Sequence, residues 1–221
     1  MAYQTRQRDP LLDDRMQAAL MRLGQQAVGF ALLGLGAALA ERISAAGAEM
    51  RLRDLYAEGF DPVMSAQDHE TYETVPENRK RVERDCADLE WCDTLIFVYP
   101  TWWYGLPAML KGWLDRALVP DVAFIMPKSE GEDIKPGLTH ITKLGVFTTC
   151  GASKWLTFLV GAPGKRTLMR GLRIILAKRC KTAFAAHFLM DSSTPESRAK
   201  HLMRVKKRLD RLIAAPAPKE G

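Results

Sequence analysis

The chain has 221 residues, enough for one domain with a sizeable core, or one domain plus an appendage. Its composition, 47% hydrophobic and 26% charged, is that of an ordinary soluble globular protein, and it contains no internal repeat. The net charge of +6 is unevenly spread: Arg51 to Asp93 carries six Lys/Arg against twelve Asp/Glu, while Lys165 to Gly221 carries fifteen against four.

That basic third lacks the fold signature of a nucleic-acid binder and reads as a solvated helix face, although Lys165, Arg166 or Arg170 could meet a phosphate-bearing ligand. The four cysteines, Cys86, Cys92, Cys150 and Cys180, form no CxxC pair and do not cluster with the histidines, so neither a zinc site nor a disulfide framework is supported. Free thiols without a secretory signal fit a cytoplasmic protein.

In chain order, residues 1–15 read as an irregular arm, residues 16–213 as one domain, and residues 214–221 as a flexible tail. Ala18 to Leu23 is a weak candidate for the first strand. Ala27 to Ala40 is apolar but too short to span a bilayer, and Gln25, Gln26 and Glu41 bound it closely, so it reads as a buried helix. Phe30 to Ala46 forms the periodic part of that helix, ended by Gly47. Glu49 to Leu55 alternates like an edge-side strand. The stretch YAEGFDPVMSAQDHETYETVPE is loop-like, and Asn78 to Glu90 is a charged helix.

The stretch LIFVYPTWWYGLPAMLKGWLDR, Leu95 to Arg116, is the most informative in the chain. Leu95 to Val98 has the length and β-rich content of a fully buried parallel strand. Pro100 stops it, because proline has no N–H to give a ladder. Trp102, Trp103 and Tyr104 follow on a short loop. Gly105 and Pro107 then start a helix whose buried face is Leu106, Leu110, Trp113 and Ala117. In an open α/β sheet, the loops at the carboxyl ends of strands are where ligands bind. Three aromatics there are costly unless a flat ligand, a neighbouring element or a second subunit covers them.

Pro120 to His140 is irregular. Leu144 to Thr148 is a short apolar strand, followed by a small polar loop through Gly151. Trp155 to Leu159 and Thr167 to Leu176 read as helices, with a turn at Ala162 to Gly164 between them. Thr182 to Phe188 fits the final strand. Pro195 to Ile213 is an amphipathic helix with Leu202, Val205, Leu209 and Leu212 on its buried face, capped by Thr194. Five strands alternating with helices predict a doubly wound α/β fold with a five-stranded parallel sheet.

YPTWWYGLPAMLKGWLDR resembles the signature of the flavodoxin-fold NAD(P)H:quinone reductases, a family that includes drug-modulator reductases and ancillary subunits of potassium-efflux systems. DLYAEGFDP (Asp54 to Pro62) and the Thr148 to Gly151 loop extend the resemblance over roughly Phe30 to Ile213. The resemblance implies a flavodoxin-like three-layer sandwich with strand order 2-1-3-4-5. It also implies a flavin-dependent NAD(P)H oxidoreductase that passes hydride to a quinone or similar acceptor. FMN is the implied cofactor, with FAD the alternative, and the pocket is implied to form in a homodimer. Carried over by position, Phe30, Pro100, Thr101, Trp102, Trp103, Tyr104, Thr148, Thr149, Cys150 and Gly151 are the cofactor-binding candidates. Donors at the Thr148 to Gly151 loop would stabilise negative charge on the reduced ring.

The chain departs from this family at its amino end. Gly24, Gln25, Ala27 and Gly29 stand where a His-Pro-x-Pro-x-Ser-Phe phosphate loop is expected, and only Phe30 matches. The Tyr and His that assist hydride transfer in some members are also missing from Ala152 to Arg166, so no catalytic side chain is assigned. Two readings follow: a flavoenzyme, or a flavin-poor module of the same fold that docks on another protein.

Overall fold

The structure is a computed structural model that describes the backbone of residues 2–5 and 27–214. Its first half comprises β1 (Ala2–Thr5), α1 (Ala27–Ala45), β2 (Met50–Arg53), α2 (Ala66–Glu70), α3 (Glu83–Trp91), β3 (Thr94–Pro100) and α4 (Ala108–Ala117). Then come β4 (Phe124–Ile125), β5 (Lys135–Pro136), β6 (Lys143–Thr149), α5 (Lys154–Leu159), α6 (Pro163–Arg166), β7 (Lys181–His187) and α7 (Pro195–Ile213). The main sheet has five strands in the order β2-β1-β3-β6-β7, and β4 and β5 form a separate two-stranded ribbon within the stretch read as irregular.

The sheet departs from the expected all-parallel arrangement at one strand. β3, β6 and β7 are parallel, with Pro100 opposite Thr149 and Thr149 opposite His187. β1 runs antiparallel to both β2 and β3. Residues 2–5, read from sequence as part of an irregular arm, are therefore a strand. The candidate first strand, Ala18 to Leu23, lies outside the described residues. The physical reason is that a slot between two strands offers unpaired N–H and C=O groups to an extended segment of either direction.

Alternation along β3 builds the core on both faces. Leu95, Phe97 and Tyr99 point to one side, packed with Leu89 of α3 and Leu110, Trp113 and Leu114 of α4. Ile96 and Val98 point to the other, against Leu35, Leu39 and Ile43 of α1 and Val205, Leu209 and Leu212 of α7. Each such side chain, fully buried, contributes about 1.5–3 kcal/mol. The result is helix, sheet, helix: three layers. The apolar run from Ala27 lies in α1, and no helix among the described residues is long and apolar enough to cross a membrane.

α4 is fixed from below by a buried ionic cluster. Arg53 Nη1 donates to Asp85 Oδ1 at 2.7 Å, and Trp113 Nε1 donates to the same oxygen at 2.6 Å. Burial raises the pKa of the Asp85 carboxyl, while Trp113 and Arg53 pull it down. The DLYAEGFDP loop lies directly on α4. A Cβ at Gly112 would fall 2.1 Å from the Pro62 carbonyl oxygen, and the Arg116 guanidinium, 5.3 Å from the Phe60 ring centroid, also donates to Asp61 O. Only glycine permits that approach. This loop serves packing.

Two helices of the second half differ from the sequence reading. Thr167 to Leu176 is not one α-helix but a π turn over Thr167–Gly171, followed by a 3-10 turn over Leu172–Ile175. Leu168, Leu172 and Leu176 still face the core, so their fourfold spacing was informative. The tightened end lets Ile175 O accept from Leu138 N at 3.1 Å, which a regular helix end would not present in the same place. In α7, Val205, Leu209 and Leu212 are buried as expected, and His201 is buried where Leu202 is only partly covered. Thr194 and Ser197 form a reciprocal cap at its start.

Candidate active site

The parallel register of β3 and β6 brings their carboxyl-terminal loops side by side. Thr101 N donates to Thr149 O at 2.7 Å, directly after the strands end. Thr148 Oγ1 donates to Tyr99 O at 2.7 Å and lies 2.8 Å from Thr101 Oγ1. These bonds lock the two loops together.

The first loop is a tight turn. Trp102 and Gly105 pair across it, Gly105 N donating to Trp102 O at 2.8 Å and Trp102 N to Gly105 O at 3.3 Å. The central residues Trp103 and Tyr104 both have positive φ, 46° and 62°. Two consecutive positive φ values are the mark of a type I′ turn, normally built from Asn and Gly. Bulky residues in that region cost about 1–3 kcal/mol each, a strain that clusters at ligand sites. Trp103 is 92% exposed and Trp102 60% exposed. The far side of the turn is braced by Gly164 N, which donates to Tyr104 O at 3.1 Å.

The second loop is held by the strand beyond it. Cys150 N donates to His187 O at 2.7 Å, Met190 N to Cys150 O at 3.1 Å, and Leu189 N to Ala152 O at 3.3 Å. Ser153 then caps α5 by accepting from Leu156 N at 3.1 Å. Behind this loop, His187 and His201 meet edge to face at 5.1 Å between ring centroids. Burial pushes both imidazoles down, His201 to about 4.

Between the loops lies an open cavity of about 300 Å³, lined by Pro100 to Tyr104, Thr149 to Ala152, Met190 and Asp191. Eight of the ten residues proposed from sequence line it: Pro100, Thr101, Trp102, Trp103, Tyr104, Thr149, Cys150 and Gly151. Thr148 does not; it is buried one residue below, and its hydroxyl is used up in joining the strands. The inward side of a strand residue is set by register, which the sequence leaves open. Phe30 lies in α1, and its side chain is outside the described residues. Lys165, Arg166 and Arg170 do not line the cavity, and Lys165 instead sits 4.8 Å from the centroid of the Phe184 ring.

Ala152, Met190 and Asp191 were missed from sequence. The usable signal was topological, since the loop after a parallel neighbour of β6 must open on the same edge. The backbone N–H groups of Trp103, Tyr104, Gly151 and Ala152 have no partner among the described residues. Flat aromatic walls, free N–H donors and an open mouth can bind a planar ring with polar edges.

The chain is 32% identical over 146 residues to an uncharacterised NAD(P)H oxidoreductase of Haemophilus influenzae, a match covering 62% of this chain and 68% of that protein. It spans less of other curated relatives, 33% of one and 45% of another. Among solved structures, it resembles the NAD(P)H:quinone oxidoreductase of Methanothermobacter marburgensis with a TM-score of 0.66 at 22% identity, over 85% of this chain and 92% of that one. It likewise resembles an FMN-dependent NADH-azoreductase of Bacillus anthracis with a TM-score of 0.63 at 13% identity, over 83% and 92% of the two chains. Residues 33–213, which contain both cavity-forming loops, match the family described as having a flavodoxin-like fold, and the chain belongs to that family.

Proposed function

We propose that this chain is a flavin-dependent NAD(P)H oxidoreductase that delivers electrons to a quinone or similar small acceptor. The observation that carries this reading is the convergence of two loops, separate in sequence, around one aromatic-walled cavity at the carboxyl edge of the parallel strands. The names of the similar proteins point the same way.

The residues present fit a flavin ring. Trp102, Trp103 and Tyr104 would wall it, and the free N–H groups of Gly151 and Ala152 would donate to its polar edge. Bound there, FMN (or alternatively FAD) supplies the two-electron chemistry between NAD(P)H and the acceptor. The protein's part is to hold the ring flat, keep one face open to each partner in turn, and stabilise charge at the edge. Thr148 acts indirectly, by fixing the distance between the loops.

A homodimer is part of this proposal. Trp102 and Trp103 on the first loop, and Trp155 and Phe158 on the helix after the second, are 60–92% exposed, apolar surface that a second copy would cover. Four buried, unbridged cysteines suit a cytoplasmic setting.

Purified protein should be yellow, or become so with added FMN, and should oxidise NADPH with a quinone present. No flavin band and no binding at micromolar FMN would overturn the enzymatic reading. That outcome would favour the docking module, for which one observation speaks: Gly24 to Phe30 contains no hydroxyl or cation where the resemblance expects a phosphate loop. Light scattering on the eluting protein tests the dimer.

A further inference from the structure

We propose that Asp191 sets the charge preference of this cavity, so that it takes ring ligands and electron acceptors bearing a cationic or N–H/O–H donor group and turns away anionic ones. The proposal rests on the function above, because it names the substrate class of the same site.

Among the described residues, Asp191 is the one Asp, Glu, Lys, Arg or His side chain lining the cavity, whose other described walls are aromatic, aliphatic, hydroxyl or thiol. It forms no ion pair among the described residues. This is notable in a region so rich in Lys and Arg, none of which, among the described residues, lines the cavity.

The backbone that carries the carboxylate is also held in place. It belongs to the turn Met190–Ser192 directly after β7, entered through Leu189 at a φ of 54°. Two backbone hydrogen bonds, at 3.1 and 3.3 Å, tie Leu189 and Met190 to the loop after β6, and Met190 is buried beneath. The carboxylate consequently overhangs Gly151: a Cβ there would lie 2.7 Å from Asp191 Oδ2. A glycine at this position leaves the carboxylate room over the edge of the cavity.

A charge beside low-dielectric walls acts on a ligand more strongly than the same charge on open surface. A sulfonate or carboxylate on the ligand meets repulsion, while an ammonium or hydroxyl gains a charge-assisted hydrogen bond. Asp191 is solvent-exposed, so the effect is screened by salt.

The test compares wild type, Asp191→Asn and Asp191→Glu in two assays. FMN-loaded protein is assayed with NADPH and either neutral 1,4-naphthoquinone or its sulfonated analogue. Flavin-free protein is titrated with 1-naphthol, naphthalene-1-sulfonate and 1-naphthylmethylammonium, read by tryptophan fluorescence. In Asp191→Asn at low salt, the anion-to-neutral preference should rise about fivefold in both assays, and the cation-to-neutral preference should fall. Asp191→Glu should stay near wild type, and 0.5 M salt should flatten the difference by roughly the loss of screening length.

A change below about twofold in Asp191→Asn, or an equal change in Asp191→Glu, overturns the proposal. The two readings fail separately. Absence of turnover with an intact charge effect on naphthalene binding removes the enzymatic function alone, whereas turnover without the charge effect removes the role of Asp191 alone.

Discussion

The loops after β3 and β6 face each other across one cavity but are built by opposite means. The first presents two tryptophans to solvent on a turn whose central residues both have positive φ. The second buries Thr148, Thr149 and Cys150 and is tied to β7 through ordinary strand and turn hydrogen bonds. One loop works against local preference to display large surfaces; the other follows it to place backbone polar groups. The first should therefore be cheap to alter for stability and expensive for binding, and the second the reverse.

The largest expected effect tests the support of the second loop. His201 keeps a pKa of about 4 when folded, against about 6.5 unfolded. Above pH 6.5 both states are neutral at this group, and it contributes no pH dependence. As pH falls from about 6.5 to about 4 the unfolded chain takes up the proton first, so stability is lost through that window, up to about 3 kcal/mol. His187, whose carbonyl holds Cys150 N–H, is packed on the same ring, and Arg198 and Arg204 add to its cationic surroundings. Urea melts at pH 7 and pH 4.5 should show this loss in wild type and much less of it in His201→Leu.

Next in size is the first loop. Trp103→Gly should weaken FMN binding tenfold or more, about 1.4 kcal/mol, because an exposed ring platform disappears. The same change should leave the melting temperature unchanged or raise it, since glycine adopts positive φ without strain worth about 1 kcal/mol. A large stability loss would show that the turn is not strained after all.

Thr148→Val keeps the shape but removes the hydroxyl that bonds Tyr99 O and neighbours Thr101, and should cost about 1–2 kcal/mol in denaturant melts. Its effect on flavin affinity should be smaller than that of Trp103→Gly. Smallest is Gly151→Ala. Its methyl meets only the far end of an exposed carboxylate that can swing aside, so the melting curve should move by less than about 1 kcal/mol.

Much of this was legible in the chain itself, for a common reason. The strand at Thr94 to Pro100, the helix behind it and the amphipathic helix from Pro195 to Ile213 announce themselves through period and through local caps. Most of the cavity followed, because its residues are contiguous with those elements. Asp191 and Met190 were not legible, since nothing local marks them; they reach the site because β7 lies beside β6. Thr148 was misplaced by one residue's depth, as the side a strand residue faces depends on register. His201 was missed because a histidine at a helical core position looks, in sequence, like any polar interruption.

The sequence by itself determined the buried strand after Asp93, the helix behind it and the amphipathic helix from Pro195, and that three aromatics stand on a strand-to-helix loop. These are local matters of side-chain period, capping and proline chemistry. Only the tertiary structure decided which loops meet. It decided that a four-residue segment at the amino end enters the sheet antiparallel, that Trp103 and Tyr104 accept positive φ, and that a lone carboxylate from beyond β7 overhangs Gly151. The pairing of β1 and the placing of Asp191 are contacts between segments far apart in the chain, settled by ladder pairing and packing rather than by any residue's own preference.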